Sequence, residues 1–264
     1  EMLQFRAFRE SHLTNPVVAI SLLDGRHFMS NVTLRFLISH MLRNVITILC
    51  PALAVSLLAH ASPTMAGKPN VVIFLTDDQG TLDAGCYGTG DLQTPNIDRL
   101  AATGVRFTQA YAHMVCCPTR AALLTGRHPQ RGGVNTWTQG NLHSKAGNNM
   151  SLGEVTLAES LKSAGYQTAL FGKWHLGAAE EFGPTRQGFN QFFGIRGGFI
   201  DNFNHHFLHQ RGYHDLFEGT KEIQRPGEFF PEMIVERAVR YIEEHKTRPF
   251  FLYLPFNTPH YPEQ

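Results

Sequence analysis

The sequence predicts an α/β fold built on a largely parallel sheet, and three observations predict it. Asn70-VVIFLT-Asp77 is one continuous β-branched and apolar run, the pattern of a strand covered on both faces. Tyr166-QTALFG-Lys173 and Pro249-FFLYLPF-Asn257 repeat that pattern further along. Stretches of helical spacing fall between these runs, and strands alternating with helices argue for parallel pairing.

The remaining elements follow in chain order. Pro95 to Gly104 reads as a short helix ended by a glycine cap. Val105 to Tyr111 alternates polar and apolar residues as a strand would. Thr119 to Thr125 reads as a helix stopped near Gly126. Thr156-Leu-Ala-Glu159 is a capping box, which opens a helix closing at Gly165. Gly183 to Gly227 is rich in Gly, Phe, Asn and His without a clear period, and is expected to form long loops on the binding face. Pro231 to Lys246 is an amphipathic helix that leads into the last strand.

The 264 residues are 42% hydrophobic and 17% charged, ample for a domain with a real core. Lys and Arg number 23 against 22 Asp and Glu, with no long basic run, so no nucleic-acid partner is expected. Four cysteines, Cys50, Cys86, Cys116 and Cys117, are too few for a disulfide-built scaffold.

Residues 41–61 have the layout of a signal peptide: Arg43, an apolar run from Val45 to Leu58, and the small-x-small triplet Ala59-His60-Ala61. The run is short for a bilayer span, so no stable membrane span is expected once it is removed. A secreted or periplasmic location follows, with a bacterial origin. Residues 1–40 are read as an upstream extension that is not native, and 62–67 as a linker. The chain is expected to be cut short at Gln264.

In open α/β sheets reactive groups gather beyond the carboxyl ends of the strands. Four segments place polar residues at such positions: Asp77-Asp78, Cys116-Cys-Pro-Thr-Arg120, Gly172-Lys-Trp-His175 and Asn257-Thr-Pro-His260. Asp77 and Asp78 offer hard oxygen ligands suited to Ca²⁺ or Mg²⁺, although strand-end carboxylates also serve as caps. Cys116 has a bland reading as a small buried hydrophobe. Pro118, Arg120 and a helix start instead set its thiol at the positive end of a helix dipole beside a cation, which is a reactive setting. Lys173 and His175 would share one strand face, or form a surface pair. His260 lies between two prolines in a stiff loop, where a packing histidine is as common as a functional one.

Cys116-Cys-Pro-Thr-Arg-Ala-Ala-Leu-Leu-Thr-Gly-Arg127 resembles the sulfatase signature, C-x-P-S/T/A-R followed by x-x-L-x-x-G-R. Pro69 to Asp78, Gly172-Lys-Trp-His-Leu-Gly177 and Thr258-Pro-His260 resemble further sulfatase blocks in the same order, from about Lys68 to the end. Thr119 stands where Ser is commonest, and conversion is still expected because Cys, Pro and Arg are intact. The resemblance is to type I, formylglycine-dependent sulfatases. It implies an alkaline-phosphatase-like fold: a mixed, mostly parallel sheet sandwiched by helices, truncated at its C-terminus, with 68–264 as the first part of the catalytic domain.

The resemblance also implies roles. Cys116 would be oxidised by a formylglycine-generating enzyme, and the hydrate would supply a geminal hydroxyl nucleophile. A thiol would leave a stable adduct, whereas the second hydroxyl lets sulfate be expelled. Asp77 and Asp78, with residue 116, would hold Ca²⁺, or less readily Mg²⁺. Arg120 and Lys173 would neutralise the oxyanion and the sulfate. His175 would take a proton and His260 would protonate the leaving oxygen. Lys173 and His260 would touch the substrate. From its own residues, the loop Gly197 to Asp215, with Asn202, Asn204, His205, His206, His209 and His214 among aromatics, is expected to shape the substrate pocket.

A further Asp-Asn metal pair and a sulfate-binding lysine are expected after His260, beyond this chain. Asp201-Asn202 precedes His260 and is read as substrate-side or structural. The chain alone is therefore expected to bind Ca²⁺ poorly and to be inactive. The implied activity is cleavage of an aryl or carbohydrate sulfate ester, so the partner is a sulfated small molecule or glycan. A formylglycine-bearing phosphodiesterase or phosphonate hydrolase is the rival enzyme. A non-catalytic sulfated-glycan binder is the rival of another class, and intact Cys116, Arg120, Lys173 and His175 argue against it.

Overall fold

This computed structural model describes residues 18–22 by backbone alone, and residues 67–135, 149–208 and 212–262 in full. The expected signal peptide at 41–61 lies outside the described residues, as do 62–66 of the linker and most of 1–40. Residues 18–22 and the described residues from 70 to 262 belong to one compact unit.

The three apolar runs form strands β2 (Val71–Asp77), β3 (Gln167–Lys173) and β7 (Phe250–Pro259). They stand side by side because β7 pairs in parallel with both β2 and β3. Strand β4 (Gln191–Ile195) continues the parallel array beyond β3. Strand β1 (Val18–Leu22) adds antiparallel to β2, and the hairpin of β5 (Phe217–Glu218) and β6 (Lys221–Glu222) adds antiparallel to β4. The sheet order is β1-β2-β7-β3-β4-β5-β6, the mixed, mostly parallel arrangement that was expected. Among the described residues no helix is long and apolar enough to cross a membrane.

Both faces of the sheet are covered, which is why its central strands read as unbroken apolar runs. Ile73, Leu75, Leu170, Phe251 and Tyr253 pack on one side against Cys117, Ala121 and Leu124 of helix α2 (Cys116–Thr125) and Ala158 of α3 (Leu157–Ser163). Ala169, Phe171, Phe193, Leu252 and Leu254 pack on the other side against Met233, Ile234, Ala238 and Tyr241 of α4 (Phe230–His245). Helix α1 (Pro95–Thr103) lies further out, with no buried residue. The capping box forms as expected. The Thr156 hydroxyl accepts from the Glu159 amide at 3.1 Å, and the Thr156 amide donates to the Glu159 carboxylate at 2.7 Å.

Three local expectations change. Val105 to Tyr111 forms no strand, and its alternation meets no neighbouring strand among the described residues; Val105 and Tyr111 stay 82% and 69% exposed. Helix α2 begins at Cys116, one turn before Thr119. The segment 183–227, expected as loop, contains β4 and the β5–β6 hairpin.

Strands β7, β3 and β4 approach one another closely just before Lys173. Gly172 and Gly194 have φ of 136° and 146°, where other residues are strained. A Cβ at Gly172 would collide with the Pro255 carbonyl, and one at Gly194 with the Gly172 carbonyl. We expect Gly194→Ala to lower the unfolding free energy in urea by roughly 3 kcal/mol or more. A loss below about 1 kcal/mol, the ordinary mutational cost, would show that this close approach is not enforced.

Candidate active site

The carboxyl ends of β2, β7 and β3 lie beside one another, so their last residues converge. Asp77 closes β2 and Lys173 closes β3. The Lys173 ammonium donates to Asp77 Oδ2, and Arg120 Nη2 of α2 stands 3.6 Å from Asp77 Oδ1. Arg120 also donates to the Lys173 carbonyl at 2.8 Å and to the Phe256 carbonyl at 3.3 Å, which ties the helix to two strands. The three side chains are all but inaccessible, at 4%, 0% and 1% exposure for Asp77, Lys173 and Arg120. Burial works to raise the Asp77 carboxyl, but the charges of Lys173 and Arg120 overcome it and hold the group below its ordinary value. Burial likewise disfavours the Arg120 cation, and the Asp77 charge keeps it protonated.

Cys116 is the first residue of α2, preceded by the extended Val115. The Thr119 hydroxyl donates back to the Val115 carbonyl at 3.0 Å and so fastens the loop to the first turn. The Cys116 sulfur lies 3.2 Å from His175 Nδ1. A hydrogen bond from Cys117, helped by the charge of Lys173 and by His175, draws the Cys116 thiol far below its ordinary value in spite of burial. His175 moves downward as well, through burial first and the Lys173 charge second. Both shifts act toward a thiolate beside a neutral imidazole.

Two site residues adopt the left-handed conformation that side chains disfavour: Asp78 with φ 60° and His175 with φ 55°. Each is held from outside. The His175 amide donates to the Arg196 carbonyl at 3.2 Å, and Trp174 to that of Ile195 at 2.9 Å. Gly198 lies flat against the imidazole, where a Cβ would come within 2.7 Å of the ring. Asp78 Oδ2 stands 3.6 Å from His260 Nε2. Burial and then the Asp77 charge raise the Asp78 carboxyl, and His260 partly offsets them. The His260 ring stacks on Phe199 at 5.0 Å. Asp77 and Asp78 thus repel each other, and Oε1 of the next residue in the chain, Gln79, is buried without a hydrogen-bond partner. Two carboxylates and an orphaned amide oxygen are hard donors that fit a Ca²⁺- or Mg²⁺-like cation, although fewer than the 6–8 oxygens that Ca²⁺ takes.

Cys116, Arg120, Lys173, His175 and Asp77 come together, with Asp78 and His260 joined to them at one edge. Asn202 and His205 stand behind the site. The Asn202 side chain, 1% exposed, accepts from the Asn257 amide at 2.8 Å and donates to the Pro262 carbonyl at 3.4 Å. His205 is wholly buried, and its Nε2 meets the Glu228 carbonyl at 3.0 Å. Through these hydrogen bonds both side chains tie the segment 201–205 to its neighbours. Asp201 caps its own turn, accepting from the amides of Phe203 and Asn204 at 2.9 and 2.6 Å.

Sequence reasoning passed over Asp215 except as the end of a loop. It is fully buried and accepts from the Arg196 and Gly197 amides at 2.9 and 2.7 Å, so it fixes the loop that presses Gly198 onto His175. The one sequence signal is an acidic residue directly before the apolar pair Leu216-Phe217. Burial pushes its carboxyl up to about 6, opposed by those two amides. A raised carboxyl favours the folded state at low pH, and that contribution is lost as pH rises from about 3.8 to about 6. Wild-type stability minus that of Asp215→Asn is therefore expected to fall by up to about 3 kcal/mol between about pH 4 and pH 7. Urea melts across that range measure it, and a constant difference would contradict a buried, ionising Asp215.

A family model for sulfatases matches residues 69–264. Steryl-sulfatase of Homo sapiens is 42% identical over 154 residues, covering 55% of this chain and 26% of that protein. N-acetylgalactosamine-6-sulfatase of Rattus norvegicus is 35% identical over 245 residues, covering 81% of this chain and 44% of that protein. The solved structure of BT4656 in complex with its substrate D-glucosamine-2-N,6-O-disulfate is similar with a TM-score of 0.58 at 30% identity, covering 73% of this chain and 35% of that one. The chain thus spans less than half the length of each of these relatives. The family model nevertheless runs through every strand of the sheet except β1, and on that match the chain belongs to the sulfatase family.

Proposed function

We propose that this chain carries the nucleophile half of a sulfuric ester hydrolase site. The observation that carries the reading is Cys116, 3.2 Å from His175 and flanked by the buried cations Lys173 and Arg120. A group placed there is poised to attack, and the cations suit an anionic ester. Oxidation of Cys116 by a formylglycine-generating enzyme would supply a hydroxyl nucleophile that can release sulfate. Asp77 and Asp78, with residue 116, would hold a divalent cation that acidifies that hydroxyl, Ca²⁺ before Mg²⁺.

The chain's own residues would then act as follows. Lys173 offsets charge at the sulfate while its ion pair with Asp77 holds it in place. Arg120 ties the first turn of α2 to the ends of β3 and β7, so residue 116 keeps its position through turnover. His175, neutral at the start, takes a proton from the residue-116 side. His260, stacked on Phe199, gives one to the leaving oxygen. Relatives named for aryl, steryl and sugar sulfates support an aryl or carbohydrate sulfate ester as the substrate class. The apolar run from Val45 to Leu58 with its small-x-small triplet supports export to the periplasm or beyond.

The test uses the full-length gene product, co-expressed with a formylglycine-generating enzyme. Nitrophenyl sulfate should turn over faster than nitrophenyl phosphate. The reverse order would favour the phosphodiesterase reading, and no turnover of either by converted protein would favour a sulfated-glycan binder. His260→Ala should slow a sugar sulfate by about 10²–10⁴-fold and nitrophenyl sulfate much less, because nitrophenolate leaves without a proton. Equal losses on both would remove His260 from the leaving-group role.

A further inference from the structure

Cys116, Cys117 and His175 each offer a ligand atom, and those atoms lie within 4.8 Å of one another. Among the described residues this is the one cluster of three such donors, and its Cys116–His175 edge is 3.2 Å. Two thiols and an imidazole are soft and borderline ligands, unlike the carboxylates of Asp77 and Asp78 beside them. Tetrahedral zinc sets sulfur and nitrogen ligands about 3.5 Å apart, so no pair of the three donors needs to close by more than about 1.3 Å.

We propose that the unmodified chain holds a thiophilic cation, Zn²⁺ or Cd²⁺, on Cys116, Cys117 and His175. The thiol proton of Cys117, which otherwise points to Cys116, leaves when the metal enters. Cys116 is only partly buried, so the fourth position opens to water. The nearest ammonium, that of Lys173, is already paired with Asp77, which limits its repulsion of an incoming cation. Softness separates this site from the hard-oxygen one: Ca²⁺ and Mg²⁺ prefer the carboxylates. If Cys116 is the formylglycine precursor proposed above, the bound metal occupies the sulfur that must be oxidised. Replacing that sulfur with oxygen in turn abolishes the site.

The test takes the chain expressed without a formylglycine-generating enzyme and titrates it with Cd²⁺, following thiolate-to-metal charge-transfer absorption. The band should saturate at one equivalent, resist excess Ca²⁺ or Mg²⁺, and disappear in Cys116→Ser. Cys117→Ala should weaken binding at least tenfold to a hundredfold, since even an outer-shell partner is worth that much. In the wild type one equivalent of Zn²⁺ should protect Cys116 from iodoacetamide while Cys86 is still labelled, and this readout needs no variant. A band unchanged in Cys116→Ser, or alkylation of Cys116 unslowed by Zn²⁺, would overturn the proposal. Capture by the unconverted chain, with no sulfate-ester turnover by the converted full-length product, would sink the functional reading alone; turnover by the converted product, with no capture by the unconverted chain, would sink this one alone.

Discussion

The carboxyl edge of the sheet depends on one buried charge cluster, Lys173 and Arg120 on Asp77. Its members come from β2, α2 and β3, and Arg120 further reaches the backbone of β7. Charges this deep persist only when paired and hydrogen-bonded, and removing one partner of such a pair costs about 3–5 kcal/mol. The cluster therefore fixes where α2 begins relative to the strand ends. That placement sets Cys116 beside His175. The same cations depress Asp77, help draw the Cys116 thiol down and add to burial in lowering His175.

Strain surrounds this anchor. Asp78 and His175 take left-handed backbone conformations, and the hydrogen bonds from Trp174 and His175 to the β4 end, with Gly198 pressed on the ring, hold the latter in place. Asp215 supports that loop from inside the core. The functional edge is therefore braced from two sides: the ion cluster positions the sulfur, and the buried carboxylate positions the imidazole.

Much of this was legible in the sequence for a physical reason. Strands β2, β3 and β7 are buried on both faces, so every position carries the apolar signal, and the Thr156–Glu159 capping box is a purely local interaction. Asp77, Cys116, Lys173 and His175 sit just past such elements, where the chain order fixes them. The misses share the opposite property. Strand β4 is a short run, Gln191 to Ile195, between glycines, whose strand character comes from pairing with β3. Val105 to Tyr111 has the alternation without a partner to pair with among the described residues. Asn202, His205 and Asp215 act through hydrogen bonds to residues 18–60 positions away, which no window along the chain reports.

The central claim is that this edge of the sheet prepares residue 116 to become an oxygen nucleophile. The most direct measurement is the mass of the proteolytic peptide containing residue 116, from protein made in a host that carries a formylglycine-generating enzyme. The aldehyde or its hydrate is expected in place of the Cys116 thiol, with Cys117 in the same peptide unchanged. An intact Cys116 thiol throughout the native protein would contradict it.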